Sequence, residues 1–371
     1  MVNCVSQARK LKPVLYILPL LLVALPFVQL GGCAAPSYYT QAISGHIGLM
    51  NKREDIDAIL DQASTDPELA RELELAMEIR AFAITALHLP DNDSYTQFVS
   101  TGQDAVTWNV VAAAEFSLQP RQWCFMVSGC VPYRGYFKFE DAEKFAGKLA
   151  DDGLDTTVSP AIAYSTLGWF DDPLLDTMFQ YNDAQLAAFI FHELAHQQLY
   201  IKGDTAFNES YASFVEEAGV SLWLESSGRS GQLPDWLDLE TASLQFNALL
   251  QDTRAELEAL YASGQAEEQM RENKSVVFDD LREAYRLLVD THWGGRSYYN
   301  SLLSRELNNA RLALINSYQG GACAFEELYR TAGEDIALFH QLAAEKATLG
   351  AEQRTSWLNQ PCAVIASNND L

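Results

Sequence analysis

Basic side chains are scarce in this chain. Among its 371 residues, 25 are Lys or Arg and 50 are Asp or Glu, so the formal net charge is −25. A surface of this sign repels phosphate groups, which argues against nucleic acids and anionic membrane surfaces as partners. Histidine is scarcer still, with six residues. A motif that requires two histidines at a fixed spacing therefore seldom arises in such a chain by chance.

Long apolar runs are also missing, with one exception near the start. Residues 14–30 carry no charge and follow three basic residues, Arg9, Lys10 and Lys12. Pro19 and Pro26 within the run, Pro13 directly before it and a short length make this run a poor membrane-spanning helix. A basic segment followed by a short apolar one is typical of an export signal. We therefore predict that residues 1–32 are a signal peptide.

The apolar run ends in Leu30-Gly31-Gly32-Cys33, which resembles the bacterial lipobox. The resemblance implies that Cys33 is lipidated and becomes the N-terminus of a lipoprotein. The alternative is an ordinary signal peptide with an incidental cysteine. Because no Asp follows Cys33, we expect an outer-membrane protein of the bacterial envelope that faces the periplasm. Its contact with the membrane would be the N-terminal lipid anchor.

Cysteine is rare as well. Of the six cysteines, Cys4 lies in the signal segment and Cys33 would carry lipid, which leaves four. An even number in an oxidising compartment suggests two disulfides. We predict a local Cys124–Cys130 bridge and a Cys323–Cys362 bridge, although three pairings are formally possible. Without C-x-x-C spacing or neighbouring histidines, these cysteines are not expected to bind metal.

Hydrophobic periodicity predicts an α+β fold with a small mixed sheet and a predominantly helical remainder. Short β-branched or aromatic runs indicate strands between residues 108 and 139 and again after 156. Helical spacing occurs at 38–62, 67–87, 140–150, 235–271, 276–292, 298–318 and 325–348. No internal repeat or linker divides the chain, so we predict one domain over residues 33–371.

The residues His192-Glu193-Leu194-Ala195-His196 form the pattern H-E-x-x-H. On a helix, residues four apart lie on the same face, so His192 and His196 can present two imidazoles to one metal ion. Glu193 is displaced by about 100° around the axis, close enough to accept a proton from a water molecule at that metal. We place this helix at 184–202, with Asp183 as its N-cap. These are the groups that zinc-dependent hydrolysis uses.

A catalytic metal site needs a third protein ligand, and the spacing of Glu209 is suitable. If the chain turns at Gly203-Asp204, the helix runs about 10 Å from His196 to the turn and returns about 9 Å to Glu209. An antiparallel second helix, capped by Asp204 or Thr205, would therefore bring Glu209 level with His196. Further along, Ser213 or Glu216 could hold an imidazole by its second nitrogen, although Glu216 could equally be a plain surface acid.

The stretch FHELAHQQLY…FNESYASFVEE resembles the gluzincin peptidases, in which a glutamate on a second helix completes the H-E-x-x-H site. Residues 208–214, NESYASF, are similar to the N-E-G-F-A-S-Y pattern of the aminopeptidase branch, but lie closer to His196 than in that branch. The whole chain resembles a bacterial family of lipoprotein aminopeptidases in YYTQAISGHIGLM, GCVPYRGYF, AYSTLGWFDDP and ELNNARLAL. The resemblance implies a zincin-like metallopeptidase domain in which His192, His196 and Glu209 bind one Zn²⁺ ion and Glu193 is the general base.

Gluzincins also use a Tyr or His to stabilise the oxyanion of the reaction. The resemblance suggests Tyr318 for this role, with Tyr164 and Tyr299 as alternatives. The isolated histidines His292 and His340 are expected to be structural. An aminopeptidase would further need an acid for the substrate's amine, and Asp171 or Asp172 are the residues considered.

These features lead to the hypothesis of a zinc-dependent metallopeptidase, an aminopeptidase by resemblance, that hydrolyses peptides by metal-activated water. The alternative is a lipid-anchored envelope binding protein with a structural or vestigial zinc site. Glu193 favours the enzyme, because a purely structural site does not need it and usually has four protein ligands.

The strand expected just before the metal helix is either a core strand or the sheet edge that pairs with substrate.

Overall fold

The first half of the chain interleaves helices with short strands. The computed structural model describes residues 36–125, 129–163, 171–315 and 322–360. Its first half contains α1 (Pro36–Met50), β1 (Glu54–Asp55), α2 (Ile56–Leu60), α3 (Pro67–Thr85), β2 (Gln97–Val99), β3 (Thr107–Ala114), β4 (Trp123–Phe125), β5 (Gly129–Val131), β6 (Arg134–Tyr136), α4 (Phe139–Asp151), β7 (Leu154–Ala161) and β8 (Leu174–Leu175). A 3-10 turn, Asp176–Gln180, leads into the second half.

Every regular element described in the second half is a helix. It contains α5 (Asp183–Gln198), α6 (Thr205–Ser226), α7 (Leu233–Tyr261), α8 (Glu267–Thr291), α9 (Asn300–Leu303), α10 (Asn309–Ile315), α11 (Ala322–Thr331), α12 (Ile336–Ala347) and α13 (Ala351–Leu358). None of the described helices combines the length and the apolar character that crossing a membrane requires. The predicted class, α+β with a helical remainder, is confirmed.

The described strands form three small sheets. One has the order β1-β2-β8, with β2 and β8 parallel, and a second has the antiparallel order β6-β3-β7. The third is the β4-β5 hairpin, which the Cys124–Cys130 disulfide joins. The strand expected before the metal helix is β7, and it lies at the edge of its sheet. Part of that edge is covered, because the side-chain amide of Asn308 donates to the carbonyl of Thr156 at 3.0 Å.

Two large hydrophobic clusters account for most of the core. The first joins α3, α5 and α6 to the C-terminal helices α11 and α12, and the second lies mainly between α7 and α8. Helices α5 and α6 approach closely at Gly219, where an added Cβ would lie 2.9 Å from the ring of Phe191 and 2.7 Å from Leu87 Cδ1. This close packing places the two helices side by side, which is the arrangement that the metal site needs.

Several predicted helix boundaries were wrong. The helix expected at 235–271 ends at Tyr261, because Gly264 takes the left-handed conformation with φ 71°, and α8 then starts at Glu267. The helix expected at 325–348 is broken in the same way at Gly333, and Asp335 caps α12 by accepting from the backbone of Leu338.

The ranges 38–62 and 298–318 are not single helices either. The first contains α1, the strand β1 and the short α2. The second contains α9 and α10, and Asn308 starts α10 by accepting from the backbone N–H of Arg311 at 3.0 Å. Residues 1–35 and 361–371 lie outside the described residues, so the signal peptide, the lipid on Cys33 and the single domain over 33–371 stay predictions.

Candidate metal centre

The helix that carries the two histidines begins with a capping box. The side-chain oxygen of Asn182 accepts the backbone N–H of Gln185 at 3.0 Å, and the side chain of Gln185 accepts the backbone N–H of Asn182 at 3.3 Å. This reciprocal pair satisfies two donors at the helix start. The predicted cap, Asp183, is therefore wrong by one residue. Asp183 is the first helical residue, and its carboxylate lies 3.6 Å from the guanidinium of Arg71.

The chain reverses direction between α5 and α6 at Gly203, as the spacing predicted. Gly203 has φ 84°, a conformation that glycine adopts without steric cost. Asp204 then caps α6 by accepting the backbone N–H of Phe207 at 3.2 Å, and its other oxygen accepts from Arg354 at 2.7 Å. The start of the return helix is thus tied to α13 as well as to the turn.

The buried side chain of Asn208, on the first turn of α6, binds the backbone of the loop before α6. Its side chain is 1 % exposed and makes two hydrogen bonds with one residue, accepting from the N–H of Ile201 at 2.8 Å and donating to the carbonyl of Ile201 at 2.9 Å. The loop and the first turn of α6 are therefore joined through a single amide. Because Glu209 is the next residue, the same contact sets the position of the third candidate ligand.

Three side chains meet where the two helices face each other. The Nε2 atoms of His192 and His196 lie 3.1 Å apart, and the carboxylate of Glu209 lies 3.5 Å from the first and 3.7 Å from the second. Ligand atoms of all three lie within 4.8 Å of one another. Across the described ranges, this is the one group of three or more His, Cys, Asp or Glu residues with the geometry of a metal site.

The chemistry of these donors fits a metal ion. Oε2 of Glu209 and Nδ1 of His196 are buried, and neither has a hydrogen-bond partner among the residues that the structure describes. A buried carboxylate oxygen without a partner is costly, and a cation beside it removes that cost. Two imidazole nitrogens and one carboxylate are a common catalytic ligand set, which leaves a further coordination position for water or substrate.

Electrostatics around the three ligands also favour a cation. Burial opposes protonation of His192, but the nearby carboxylates of Glu209 and Glu216 outweigh it and raise the pKa of His192 to about 10. Burial and the charge on His192 lower the pKa of His196 to about 4. Burial works against ionisation of Glu209, yet the two histidines hold its pKa below the ordinary value. The acids that attract a proton to His192 would attract a metal ion to the same place.

Glu216 holds the outer nitrogen of His192. Its Oε2 lies 2.8 Å from Nδ1 of His192, and Glu216 is about two turns of helix beyond Glu209 on α6. A proton on Nδ1 that is shared with this carboxylate leaves Nε2 free to bind metal and fixes the orientation of the ring. Of the two interpretations of Glu216 open at the sequence level, the structure therefore supports the contact with an imidazole.

A comparison with protein families bears on what this site does. A family model described as "Putative aminopeptidase" matches residues 37–358, which extend from α1 to the end of α13. The chain belongs to this family. No curated protein and no solved structure matches the chain. Membership of the aminopeptidase family indicates peptidase activity, with peptides as substrates, and the match includes every residue of the candidate metal centre.

In this member of the aminopeptidase family, Glu193 is half-buried on α5 beside the histidines. Its carboxylate acts on the pKa of His192 and on the pKa values of Tyr95 and Tyr133, after burial as the main cause in each. The general base expected from the motif therefore directly follows His192 on α5 and acts electrostatically on one candidate ligand and on two tyrosines. Neither tyrosine was singled out from the sequence.

The predicted oxyanion residue, Tyr318, lies outside the described residues, and so does Tyr164. The other alternative, Tyr299, lies in a different part of the fold from the metal ligands. Its ring stacks on Phe246 with centroids 4.2 Å apart, inside the hydrophobic cluster between α7 and α8. That cluster is separate from the one that contains α5 and α6. Tyr299 is therefore a packing residue.

One of the two isolated histidines, His340, is structural, as expected. Buried His340 contacts the hydroxyl of Tyr211 at 2.7 Å and the carbonyl of Leu87 at 2.8 Å, so both its nitrogens have partners. His292 follows α8 and is exposed, and its Nδ1 lies 2.6 Å from the hydroxyl of Thr291. The structural role of His292 stays a prediction.

The acids considered for the substrate's amine differ in exposure. Asp172 is 3 % exposed, and its backbone carbonyl accepts the N–H of Tyr95 at 2.8 Å. A carboxylate so enclosed is poorly placed to meet a substrate, whereas Asp171 is exposed. The structure brings neither of them into the three-ligand group.

Proposed function

We propose that this chain is a zinc-dependent metallopeptidase with a zincin-like domain of the gluzincin type, and that it removes residues from the N-termini of peptides. The observation that supports the proposal is the convergence of His192, His196 and Glu209 within 4.8 Å, with Glu193 on the same helix as the histidines. Family membership supplies the class of reaction. Zn²⁺ is the ion that this ligand set and this chemistry favour.

Each residue of the site has a separate role in the proposed hydrolysis. His192, His196 and Glu209 would hold the ion, which when bound acidifies water and polarises the scissile carbonyl. Glu193 accepts the proton of the attacking water and returns it to the departing amine, a transfer that general acid–base catalysis requires. Glu216 keeps the proton of His192 on Nδ1, so that Nε2 faces the ligand group.

A structural or vestigial metal site is the competing function. Structural zinc sites usually have four protein ligands, and the described part of the chain provides three here. A binding protein would also have no use for Glu193 beside the ligands. The ligand count and the placement of Glu193 therefore favour an enzyme.

The decisive experiment combines zinc quantitation with digestion of a peptide library followed by mass spectrometry. We expect about one zinc per chain, as this ligand set implies, and product ladders that start at the free N-terminus. Internal cleavage would remove the aminopeptidase assignment. Stoichiometric zinc without any cleavage would instead support the binding protein.

Glu193→Gln tests the mechanism directly. The variant should keep its zinc and lose turnover, because the amide cannot accept the proton. Glu225→Gln changes an exposed acid on α6 in the same way and should behave like the wild type. Undiminished hydrolysis by Glu193→Gln would refute the assigned role.

We further propose that the enzyme is a lipoprotein of the bacterial outer membrane, anchored through Cys33 and facing the periplasm. The supporting observation is the Leu30-Gly31-Gly32-Cys33 sequence after a short apolar run. Mass spectrometry of the mature protein should show a lipid on Cys33, and Cys33→Ser should abolish membrane association. Soluble wild-type protein with an unmodified cysteine would contradict the proposal.

A further inference from the structure

The helix α1 begins close to the proposed site of lipid attachment. Cys33 and Pro36, the first residue of α1, are three residues apart in the chain. Because an extended chain spans at most about 3.6 Å per residue, the start of α1 lies within about 11 Å of Cys33. The headgroup region on each side of a bilayer is itself about 5–8 Å thick. With a lipid on Cys33, α1 therefore begins at the membrane surface.

One side of α1 is fixed to the strand β6 and the residue after it. The side-chain amide of Gln41 donates to the carbonyl of Gly135 at 3.3 Å, and the side-chain oxygen of Gln41 accepts the backbone N–H of Phe137 at 3.3 Å. One turn later, Gly45 packs so closely against the ring of Phe137 that an added Cβ would overlap it. These contacts set the rotation of α1 about its own axis.

Two isoleucines occupy the opposite side of α1. Ile43 is 58 % exposed and Ile47 is 51 % exposed. They follow Gln41 and Gly45 by two residues each, which is about 200° around the helix axis, so both side chains point away from β6. Because the isoleucines are four residues apart, they lie next to each other on one face. Together they form an apolar patch that gains free energy when it leaves water.

This part of the chain also lacks the charge that is common elsewhere. Asp, Glu, Lys and Arg make up 20 % of the chain, yet none of them occurs from Cys33 to Asn51. Burial lowers the pKa of His46, so this histidine is neutral at pH 7 as well. With a net charge of −25, the protein as a whole is repelled by anionic lipid headgroups, whereas an uncharged helix is not. The charge distribution therefore favours α1 as the element that approaches a bilayer.

We propose that Ile43 and Ile47 insert into the boundary between headgroups and acyl chains, so that α1 lies flat on the membrane as a second attachment beside the lipid. The inference rests on the proposed lipidation of Cys33. Helices that lie in this boundary bury their apolar face by about 5–10 Å. The short connection to Cys33 brings a bilayer to α1 in every molecule, which it does not do for a second copy of the chain.

The second attachment has a consequence for the rest of the protein. A lipid alone holds a protein at one point and leaves it free to turn about that point. Gln41 joins α1 to β6, and β6 pairs with β3 in the antiparallel sheet. A membrane contact along α1 therefore gives the protein one orientation on the bilayer.

Fluorescent labels on the two isoleucines measure contact with lipid directly. Ile43→Cys and Ile47→Cys each receive a polarity-sensitive fluorophore in the lipidated mature chain, which is then bound to vesicles of phosphatidylethanolamine and phosphatidylglycerol. The emission should shift to shorter wavelength, and spin-labelled lipid should quench it. The control is Leu244→Cys, at an exposed leucine of α7, and its label should stay unquenched.

A second measurement tests the orientation of the protein. Time-resolved anisotropy of the Leu244→Cys label should keep a high residual value on vesicles, and this value should fall when Ile43→Ser and Ile47→Ser are added. The matched control adds Leu237→Ser and Leu287→Ser, which also remove two exposed leucine side chains, and it should leave the anisotropy unchanged. Melting temperatures should change little in both sets, because the altered side chains are exposed.

The outcomes separate this inference from the lipoprotein proposal. If Cys33 carries lipid and the protein is bound to vesicles, yet the labels at Ile43 and Ile47 behave like the one at Leu244, this inference alone is overturned. Shielding that appears without vesicles and grows with protein concentration would assign the face to a second copy, and would overturn it too. If the mature protein has no lipid on Cys33, the lipoprotein proposal and this inference both fail.

Discussion

Asn208 offers a sharp test of how the turn builds the metal centre. Its buried side chain forms both of its hydrogen bonds with Ile201, at 2.8 and 2.9 Å, and it directly precedes Glu209. In Asn208→Ala, the N–H of Ile201 loses its partner, and the carbonyl of Ile201 keeps only the backbone N–H of Asp204 at 3.1 Å. The helix register and the ligand itself are unchanged, so the variant isolates the contribution of the turn.

The expected size of the effect follows from these two bonds. A typical hydrogen bond contributes about 1 kcal/mol net, and an unsatisfied buried group costs about 1–3 kcal/mol. Ile201 is half-buried, so water can replace part of what the amide supplies. We therefore expect the free energy of unfolding of the metal-free protein to fall by about 2 kcal/mol. Loss of a fixed position for Glu209 should also weaken zinc binding by about tenfold, or about 1.4 kcal/mol.

The assay pairs guanidinium unfolding of the metal-free protein with a competitive zinc titration. Val220→Ala is the matched control, because Val220 is fully buried on the same helix. It should lose stability through a cavity while zinc affinity stays within about twofold of the wild type, since its effect is not near the ligands. If Asn208→Ala binds zinc as tightly as Val220→Ala does, the turn does not position Glu209 and the reasoning is refuted.

Three further variants test other parts of the structure. Glu216→Ala should weaken zinc binding by about 10- to 100-fold, because His192 loses the partner of Nδ1, and an unchanged titration would make Glu216 a surface acid. Gly219→Ala should lower the free energy of unfolding by about 1–3 kcal/mol, because the new Cβ meets the ring of Phe191 at 2.9 Å, and a stability equal to the wild type would contradict that packing. Burial raises the pKa of Glu240 to about 7, so the folded chain keeps a proton that the unfolded chain releases from about pH 4.5 upward. Stability should therefore fall between these values, and Glu240→Gln should flatten that part of a melting-temperature profile.

Local patterns predicted the core of the candidate site well. The i, i+4 spacing of His192 and His196 requires only that the segment be helical, and the capping box and buried face of α5 provide that. The register of Glu209 required one turn at Gly203, whose φ of 84° suits glycine. All these interactions lie within a short segment of chain, so sequence reasoning could reach them.

The ends of the helices were not predictable in the same way. The cap is Asn182 rather than Asp183 because Asn182 forms a reciprocal bond with Gln185, whereas residue type alone does not separate two equally good cap residues. The breaks in the later helices depended on Gly264 and Gly333, which helical spacing alone does not reveal. Each such error arises where backbone conformation, rather than hydrophobic period, determines the end of an element.

The contrast between Glu209 and Arg134 shows why the metal centre and the contacts between distant elements differ in predictability. The metal ligands lie on two consecutive helices, so their geometry follows from helix rise and one turn. Arg134, at the start of β6, instead contacts residues far away in the sequence: its guanidinium lies 4.0 Å from the ring centre of Tyr38 on α1 and 4.4 Å from that of Phe145 on α4. Neither contact has a period in the sequence. A ligand set can therefore be inferred from local spacing, while the packing of separate elements against each other requires the assembled fold.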